Sequence, residues 1–266
     1  MSINDRDLGI AAAGAGAAVV RAHYGAPLAR LGKDGDDFAT VADIEAEKAI
    51  LETLRAARPD DLVLGEETGR TGEGGGDRMW LVDPLCGTLN YAVRNMLASV
   101  NVALRAGGRI SVAVCADPFN DEVFWAGDGT AYVRRDGVDQ PLTPSAESRL
   151  VDLNLDPPFP NRPGFLAARM LSDDVFLDRF RPRVVSTTLA VAWVAAGRRA
   201  AYVTDGHLAD SVHFAAGIAL CEAAGCVVTD LDGRPPHSGR GGLIAAADPD
   251  THATLLSLVS AQRLSR

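Results

Sequence analysis

The hydrophobic pattern opens with an alanine- and glycine-rich run, Ile3 to Tyr24, that predicts a helix packed closely through small residues. Gly9, Gly14 and Gly16 weaken that helix in isolation, so tertiary contacts must hold it. Thr40-Val41-Ala42-Asp43 has the form of a capping box, and Ala46, Ile50, Thr53, Leu54 and Ala57 recur at helical spacing until Pro59, predicting a second helix. The period then shortens to two. Leu62 to Glu67 reads as a short strand with Glu66 and Glu67 at its end, and Thr68 to Asp77 as a glycine-rich surface loop. Met79 to Asp83 reads as a buried strand stopped by Pro84. Ser99–Arg105, Ile110–Ala116, Glu122–Ala126 and Ala131–Arg135 continue as strands separated by GG, DPFND and GDG turns, an antiparallel meander.

Pro141 to Arg149 is polar and lacks periodicity, which places a boundary between an N-terminal half, 1–145, and a C-terminal half, 146–266. Strand and helix alternate beyond it. Strands are expected at Leu150–Leu155, Arg183–Val185, Ala200–Thr204, Val227–Thr229 and Leu243–Ala246. Helices are expected near Gly164–Leu171, at Thr188–Ala196 and at Val212–Ala224, so this half reads as α/β layering.

Composition narrows the classes. With 26 Lys and Arg against 35 Asp and Glu, the net charge is −9, which excludes a general nucleic-acid binder that works by neutralising phosphates. A 47% hydrophobic, 23% charged chain can bury a core and is not predominantly disordered. No run of about 18 apolar residues is present, so no membrane partner is expected. The start of the chain lacks the features of a secretory signal. Cys86, Cys115, Cys221 and Cys226 form neither a CxxC pair nor a zinc-finger spacing, and a reduced, cytoplasmic protein is expected. Cys115 reads as inert core, Cys221 and Cys226 as free thiols flanking a helix end, and His23, His237 and His252 as surface imidazoles.

The candidate chemistry is concentrated early. Gly65-Glu66-Glu67 brings paired carboxylates to a strand end, and Val82-Asp83-Pro84-Leu85-Cys86-Gly87-Thr88 sets a carboxylate, a carbonyl, free amides and a hydroxyl within one tight turn. Those groups hold a hard cation and an anion together.

Taken in order and spacing, Thr40–Asp43, Gly65–Glu67, Trp80 to Tyr91, and Ala215-Ala216-Gly217 through Glu222-Ala223-Ala224-Gly225 resemble the inositol monophosphatase family of metal-dependent, lithium-sensitive sugar-phosphate phosphatases. The resemblance covers nearly the whole chain. It implies an αβαβα layered sandwich, of α+β or α/β class, with Mg²⁺ as cofactor. The implied activity is hydrolysis of a phosphomonoester on a small sugar, polyol or nucleoside by metal-activated water. A homodimer is the assembly it suggests. Glu66, Asp83 and the Leu85 carbonyl match the first metal site. Thr88 matches the hydroxyl that orients water with Glu66, and Asp43 the carboxylate that supports Thr88. The amides of Gly87 and Thr88 match the phosphate cradle, and Asp205 is the candidate for contacting substrate hydroxyls.

Two metal ligands depart from the family pattern. Cys86 stands where its motif has a second Asp, and His213 stands at the later Asp, with Asp210 as a rival should the turn be rebuilt. Mg²⁺ demands oxygen ligands, so a Mg²⁺ site there should fail. If Asp83, Cys86 and His213 converge, the oxygen, sulfur and nitrogen set favours Zn²⁺ or Fe²⁺. A Cys86–His213 separation beyond about 5 Å would exclude one shared zinc. The other readings are a one-metal or altered Mg²⁺ phosphatase, Cys86 as a nucleophile activated by His213, and a catalytically impaired relative that binds a phosphorylated ligand or regulates without turnover.

Overall fold

A computed structural model describes residues 3–27, 30–32, 38–72, 77–155, 166–206, 208, 211–236 and 241–264. The chain divides into two compact units. The first is Met1–Pro141 with Thr187–Leu189 and Val212–Leu220; the second is Leu142–Ser186, Ala190–Ser211 and Cys221–Arg266.

In the first unit, α1 (Asp5–His23) starts at Asn4, whose side chain accepts from the Asp7 amide at 2.8 Å. A two-stranded ribbon, β1 (Arg30–Gly32) and β2 (Phe38–Thr40), leads into α2 (Val41–Ala57). The expected capping box is present: Thr40 Oγ1 accepts from Ala42 N and Asp43 Oδ2 accepts from Thr40 N. β3 (Leu62–Gly65), β4 (Gly69–Thr71), β5 (Arg78–Cys86), β6 (Ser99–Ala106), β7 (Arg109–Asp117), β8 (Glu122–Gly127), β9 (Thr130–Arg135) and β10 (Val138–Pro141) follow, with α3 (Thr88–Ala92) after β5. They form one sheet in the order β10-β9-β8-β7-β6-β5-β3-β4, antiparallel except where β3 runs parallel to β5. Its core is the small-residue face of α1 and the apolar stripe of α2 packed with Trp80, Val82, Val100, Val102 and Val114. Gly16 is where the two helices meet: a Cβ there would lie 2.7 Å from Ile50 Cδ1.

Two expectations for this unit change. Part of the glycine-rich segment, Gly69–Thr71, is an edge strand because it folds back antiparallel on β3; 73–76 lie outside the described residues. Pro84 does not stop β5, which continues to Cys86 through a bulge, one of the places where a sheet tolerates proline.

Asp61, just before β3, anchors the lower end of the sheet. It accepts from Arg78 Nε and Nη2 and from Trp80 Nε1, each at 2.9 Å, while Arg78 Nη1 reaches Asp5 at the start of α1. Burial works to raise its pKa, but the Arg78 and Trp80 hydrogen bonds outweigh it and hold the carboxyl below the usual aspartate range. Arg78 keeps 36% of its side chain in water, which limits the expected cost of Asp61→Asn to about 1–2 kcal/mol. Because the folded pKa is depressed, that contribution is present above the ordinary value near 4 and lost as pH falls through the folded value. Denaturant melts of the two proteins should differ at pH 7 and converge near pH 2. A constant difference would remove the ion pair as the cause.

The second unit contains β11 (Leu150–Leu153), α4 (Leu166–Met170), α5 (Asp174–Arg179), β12 (Arg181–Val184), most of α6 (Leu189–Ala195) and β13 (Ala201–Thr204). After α7 (Ala215–Ala224), which is divided between the units, come β14 (Val227–Thr229), β15 (Leu243–Ala246) and α8 (Pro249–Leu264). The sheet order is β12-β11-β13-β15-β14, with β11 parallel to both neighbours and β15 antiparallel to both of its own. Val151, Leu153, Val203, Ile244, Leu255 and Val259 are central to its core. The hydrophobic pattern does not predict α8 because Thr251 and His252 occupy inward positions beside Leu255, Leu258 and Val259. His252 is therefore not a surface imidazole: it is buried and shares a 2.7 Å hydrogen bond with Thr229 Oγ1. His23 is partly exposed and pairs with Glu45, and His237 lies outside the described residues. Among the described residues no helix is long and apolar enough to cross a membrane.

Candidate metal and phosphate site

The candidate site lies in the first unit and begins with the bulge in β5. Asp83 pairs with Asn101 and Cys86 with Ser99, so β5 advances three residues while β6 advances two. Regular alternation would point residues 83 and 86 to opposite faces; the extra residue resets it. Asp83, Cys86 and His213 consequently offer ligand atoms that all lie within 4.8 Å of one another. This meets the distance required of a shared ion.

Asp83 is fully buried. Its Oδ1 accepts from the Leu85 amide at 3.1 Å, and its Oδ2 receives His213 Nδ1 at 2.8 Å and Asn101 Nδ2 at 3.4 Å. His213 sits in the turn before α7 rather than within the helix, since α7 begins at Ala215. Burial alone would lower its pKa, yet the charge and hydrogen bond of Asp83 prevail and hold it well above the ordinary value. Cys86 Sγ accepts from the Thr188 amide at 3.3 Å, and Asn101 Nδ2 donates to Thr188 Oγ1 at 2.8 Å. Burial, then the Asp83 charge, push the Cys86 thiol up.

Around the turn, Gly87 adopts φ 104°, a left-handed conformation that glycine accommodates, and caps α3. Thr88 Oγ1 lies 3.0 Å from Asp43 Oδ1 and 3.1 Å from the Leu85 carbonyl. Asp43 Oδ2 is occupied by Thr40, through its amide at 2.8 Å and its hydroxyl at 2.5 Å, so the carboxylate is fixed with Oδ1 toward Thr88. Glu66 follows β3, in a turn rather than the strand, with its amide on the Val82 carbonyl at 3.0 Å.

Two contributors escape sequence reasoning. Glu47, buried one turn after Asp43 on α2, accepts from the amides of Glu67 and Thr68 at 2.8 Å each and so holds the turn that carries Glu66. Gly65 makes room for it: a Cβ there would lie 2.6 Å from Glu47 Oε1. Asn101 is the second, and its signal is a lone amide in the apolar run Val100-Asn101-Val102. Asp205 belongs to the second unit, where its Oδ1 accepts from the Gly206 amide at 2.7 Å; Asp210 lies outside the described residues.

Donor chemistry distinguishes two sets of groups. Glu66, Asp83 and the Leu85 carbonyl offer hard oxygens that suit Mg²⁺. Asp83, Cys86 and His213 offer oxygen, sulfur and nitrogen, which do not suit Mg²⁺ and match zinc or ferrous iron instead.

Comparison with known proteins bears on the family and the fold. An inositol monophosphatase of Caulobacter vibrioides is 33% identical over 236 residues, covering 86% of this chain and 90% of its own. The Nus factor SuhB of Escherichia coli is 32% identical over 220 residues, 80% of this chain and 79% of its own. The crystal structure of the suppressor protein SuhB of Bartonella henselae superposes with a TM-score of 0.84 at 28% identity, covering 95% of this chain and 97% of that one. A Thermotoga maritima relative, at 22% identity and a TM-score of 0.81, shares the same layered α/β sandwich fold. The model of the inositol monophosphatase family matches residues 5–264, and with a relative one-third identical over most of both chains it shows that this chain belongs to the inositol monophosphatase family, as a divergent member with Cys86 and His213 beside Asp83.

Proposed function

We propose that the chain is a cytoplasmic, metal-dependent phosphomonoesterase acting on a small sugar, polyol or nucleoside phosphate. Glu66, Asp83 and the Leu85 carbonyl hold one divalent cation, Mg²⁺ by chemistry, and Asp83, Cys86 and His213 form an altered second position that prefers Zn²⁺ or Fe²⁺. The observation that carries this reading is the Thr88 hydroxyl, placed between Asp43 Oδ1 and the Leu85 carbonyl one turn from Asp83.

The ionised Asp43 oxygen is the stronger acceptor, so the single Thr88 proton goes to it and leaves the Thr88 lone pairs free to accept from water. Glu66 accepts the second proton of that water, which aims the oxygen at phosphorus for in-line attack. The amides of Gly87 and Thr88 receive phosphate oxygens. A cation bound among these residues supplies positive charge against the phosphoryl group and makes hydroxide available near neutral pH. The need for it is large, because phosphate monoesters require accelerations up to about 10²¹-fold.

The test is hydrolysis of a panel of sugar, polyol and nucleoside phosphates with Mg²⁺, Mn²⁺, Zn²⁺ and Fe²⁺ supplied separately, alongside elemental analysis of the purified protein. Turnover with Zn²⁺ or Fe²⁺ is expected. Turnover with Mg²⁺ alone removes the altered second position. An ester that binds without turnover under all four ions assigns the noncatalytic reading.

A further inference from the structure

Cys221 and Cys226 lie far along the chain from the phosphate turn, and helix geometry brings them together. α7 ends in a Schellman motif: the Cys226 amide donates to the Cys221 carbonyl at 2.9 Å, the Gly225 amide donates to the Glu222 carbonyl at 3.1 Å, and Gly225 between them has φ 89°. In this motif the side chains three residues before and two residues after the cap face each other, usually as a hydrophobic contact. Here both are cysteines. Both are free thiols in the structure. Cys221 is buried and also donates to the Val191 carbonyl at 3.3 Å, whereas Cys226 is partly exposed. The neighbouring Cys226 thiol, with burial, pushes the Cys221 thiol well above its ordinary pKa.

We propose that Cys221 and Cys226 are a reversible redox pair that closes into a disulfide across the C-terminal cap of α7 by exchange with a low-molecular-weight disulfide such as oxidised glutathione. The accessible Cys226 thiolate attacks one sulfur of oxidised glutathione, breaking its S–S bond and releasing the first glutathione thiolate. Cys221 then gives up its proton and attacks the Cys226 sulfur, forming the internal bond and releasing the second. Two protein thiols are oxidised, one glutathione disulfide is reduced to two thiols, and the two protein protons end on the glutathiones. Neither Cys86 nor Cys115 takes part, and the pair stands independently of the phosphatase reading.

The full chain is equilibrated in glutathione buffers of rising oxidised fraction, quenched with iodoacetamide and digested with trypsin. Residues 200–240 form one tryptic peptide that contains both cysteines and ends at Arg240, because Pro235 blocks cleavage after Arg234. In the oxidised buffers this peptide should lose about 2 Da and its alkylation should fall at least ~10-fold, both reversed by dithiothreitol. In Cys226→Ser, which retains the Gly225 cap, the mass loss should vanish and Cys221 should remain alkylated. A peptide that instead carries two separate glutathiones or two alkyl groups in the oxidised buffers overturns the proposal, as does a cross-link from either residue to Cys86 or Cys115.

Discussion

Asp83→Asn is expected to lower kcat/KM for phosphate-ester hydrolysis by about 10³-fold, roughly 4 kcal/mol of transition-state stabilisation. In the proposed function Asp83 serves both cation positions, so one substitution would remove a negative charge from each. It also removes the partner of His213, whose Nδ1 sits 2.8 Å from Asp83 Oδ2. The fold should survive, because an amide oxygen can still accept from the Leu85 amide as Asp83 Oδ1 does at 3.1 Å. The new NH₂ then takes the place of Oδ2 and faces both His213 Nδ1 and Asn101 Nδ2, leaving imperfect contacts that cost about 1–3 kcal/mol. Steady-state kinetics, thermal unfolding and titration with Zn²⁺ and Mg²⁺ separate these effects. A folded variant with weakened binding of both ions and lost turnover is the expected result. Unchanged kcat/KM would show that Asp83 holds no ion during catalysis.

What the sequence made legible follows from how local each signal is. The Thr40–Asp43 capping box and the Gly87-Thr88 turn depend on neighbours within four residues, so residue type and spacing reach each of them, whereas the contact between Asp43 and Thr88, 45 residues apart, came only through family resemblance. The position of Cys86 beside Asp83 could not be derived that way, since strand alternation assigns residues 83 and 86 to opposite faces; family resemblance supplied it, and the bulge at Pro84 is its physical cause. His213 was likewise reachable only through resemblance, because nothing in the turn before α7 signals a carboxylate 130 residues earlier. Glu47 and Asn101 were missed for one reason: a polar residue facing inward interrupts an apolar pattern in the same way as one facing solvent. α8 was hidden similarly by Thr251 and His252, although Asp248 before Pro249 was a readable helix start, and the Asp248 carboxylate does accept from the Thr251 amide at 2.8 Å.

Restoring oxygen at both altered positions, Cys86→Asp with His213→Asp, should raise Mg²⁺ affinity by about 10²-fold, close to 3 kcal/mol, and reverse the preference for Zn²⁺. The thiol and imidazole suit an ion that accepts sulfur at about 2.3 Å and nitrogen at about 2.0 Å, whereas Mg²⁺ binds oxygen in near-octahedral geometry. The Thr188 amide that now donates to Cys86 Sγ at 3.3 Å is placed to donate to a carboxylate at position 86, so the exchange at that residue adds no unpaired donor. Without a cation, three carboxylates would then converge where one carboxylate now faces an imidazole, and their repulsion should lower the melting temperature of the metal-free double variant. Mg²⁺ binds the folded state alone, so titrating it back should recover the melting temperature in proportion to occupancy. The wild-type protein, lacking that repulsion, should gain far less from Mg²⁺ and more from Zn²⁺. Identical ion preference in the two proteins, in both calorimetric titration and thermal melts, would show that the side chains at 86 and 213 never reach a metal, and that the partly exposed imidazole of His213 serves the buried Asp83 only as an ion-pair partner.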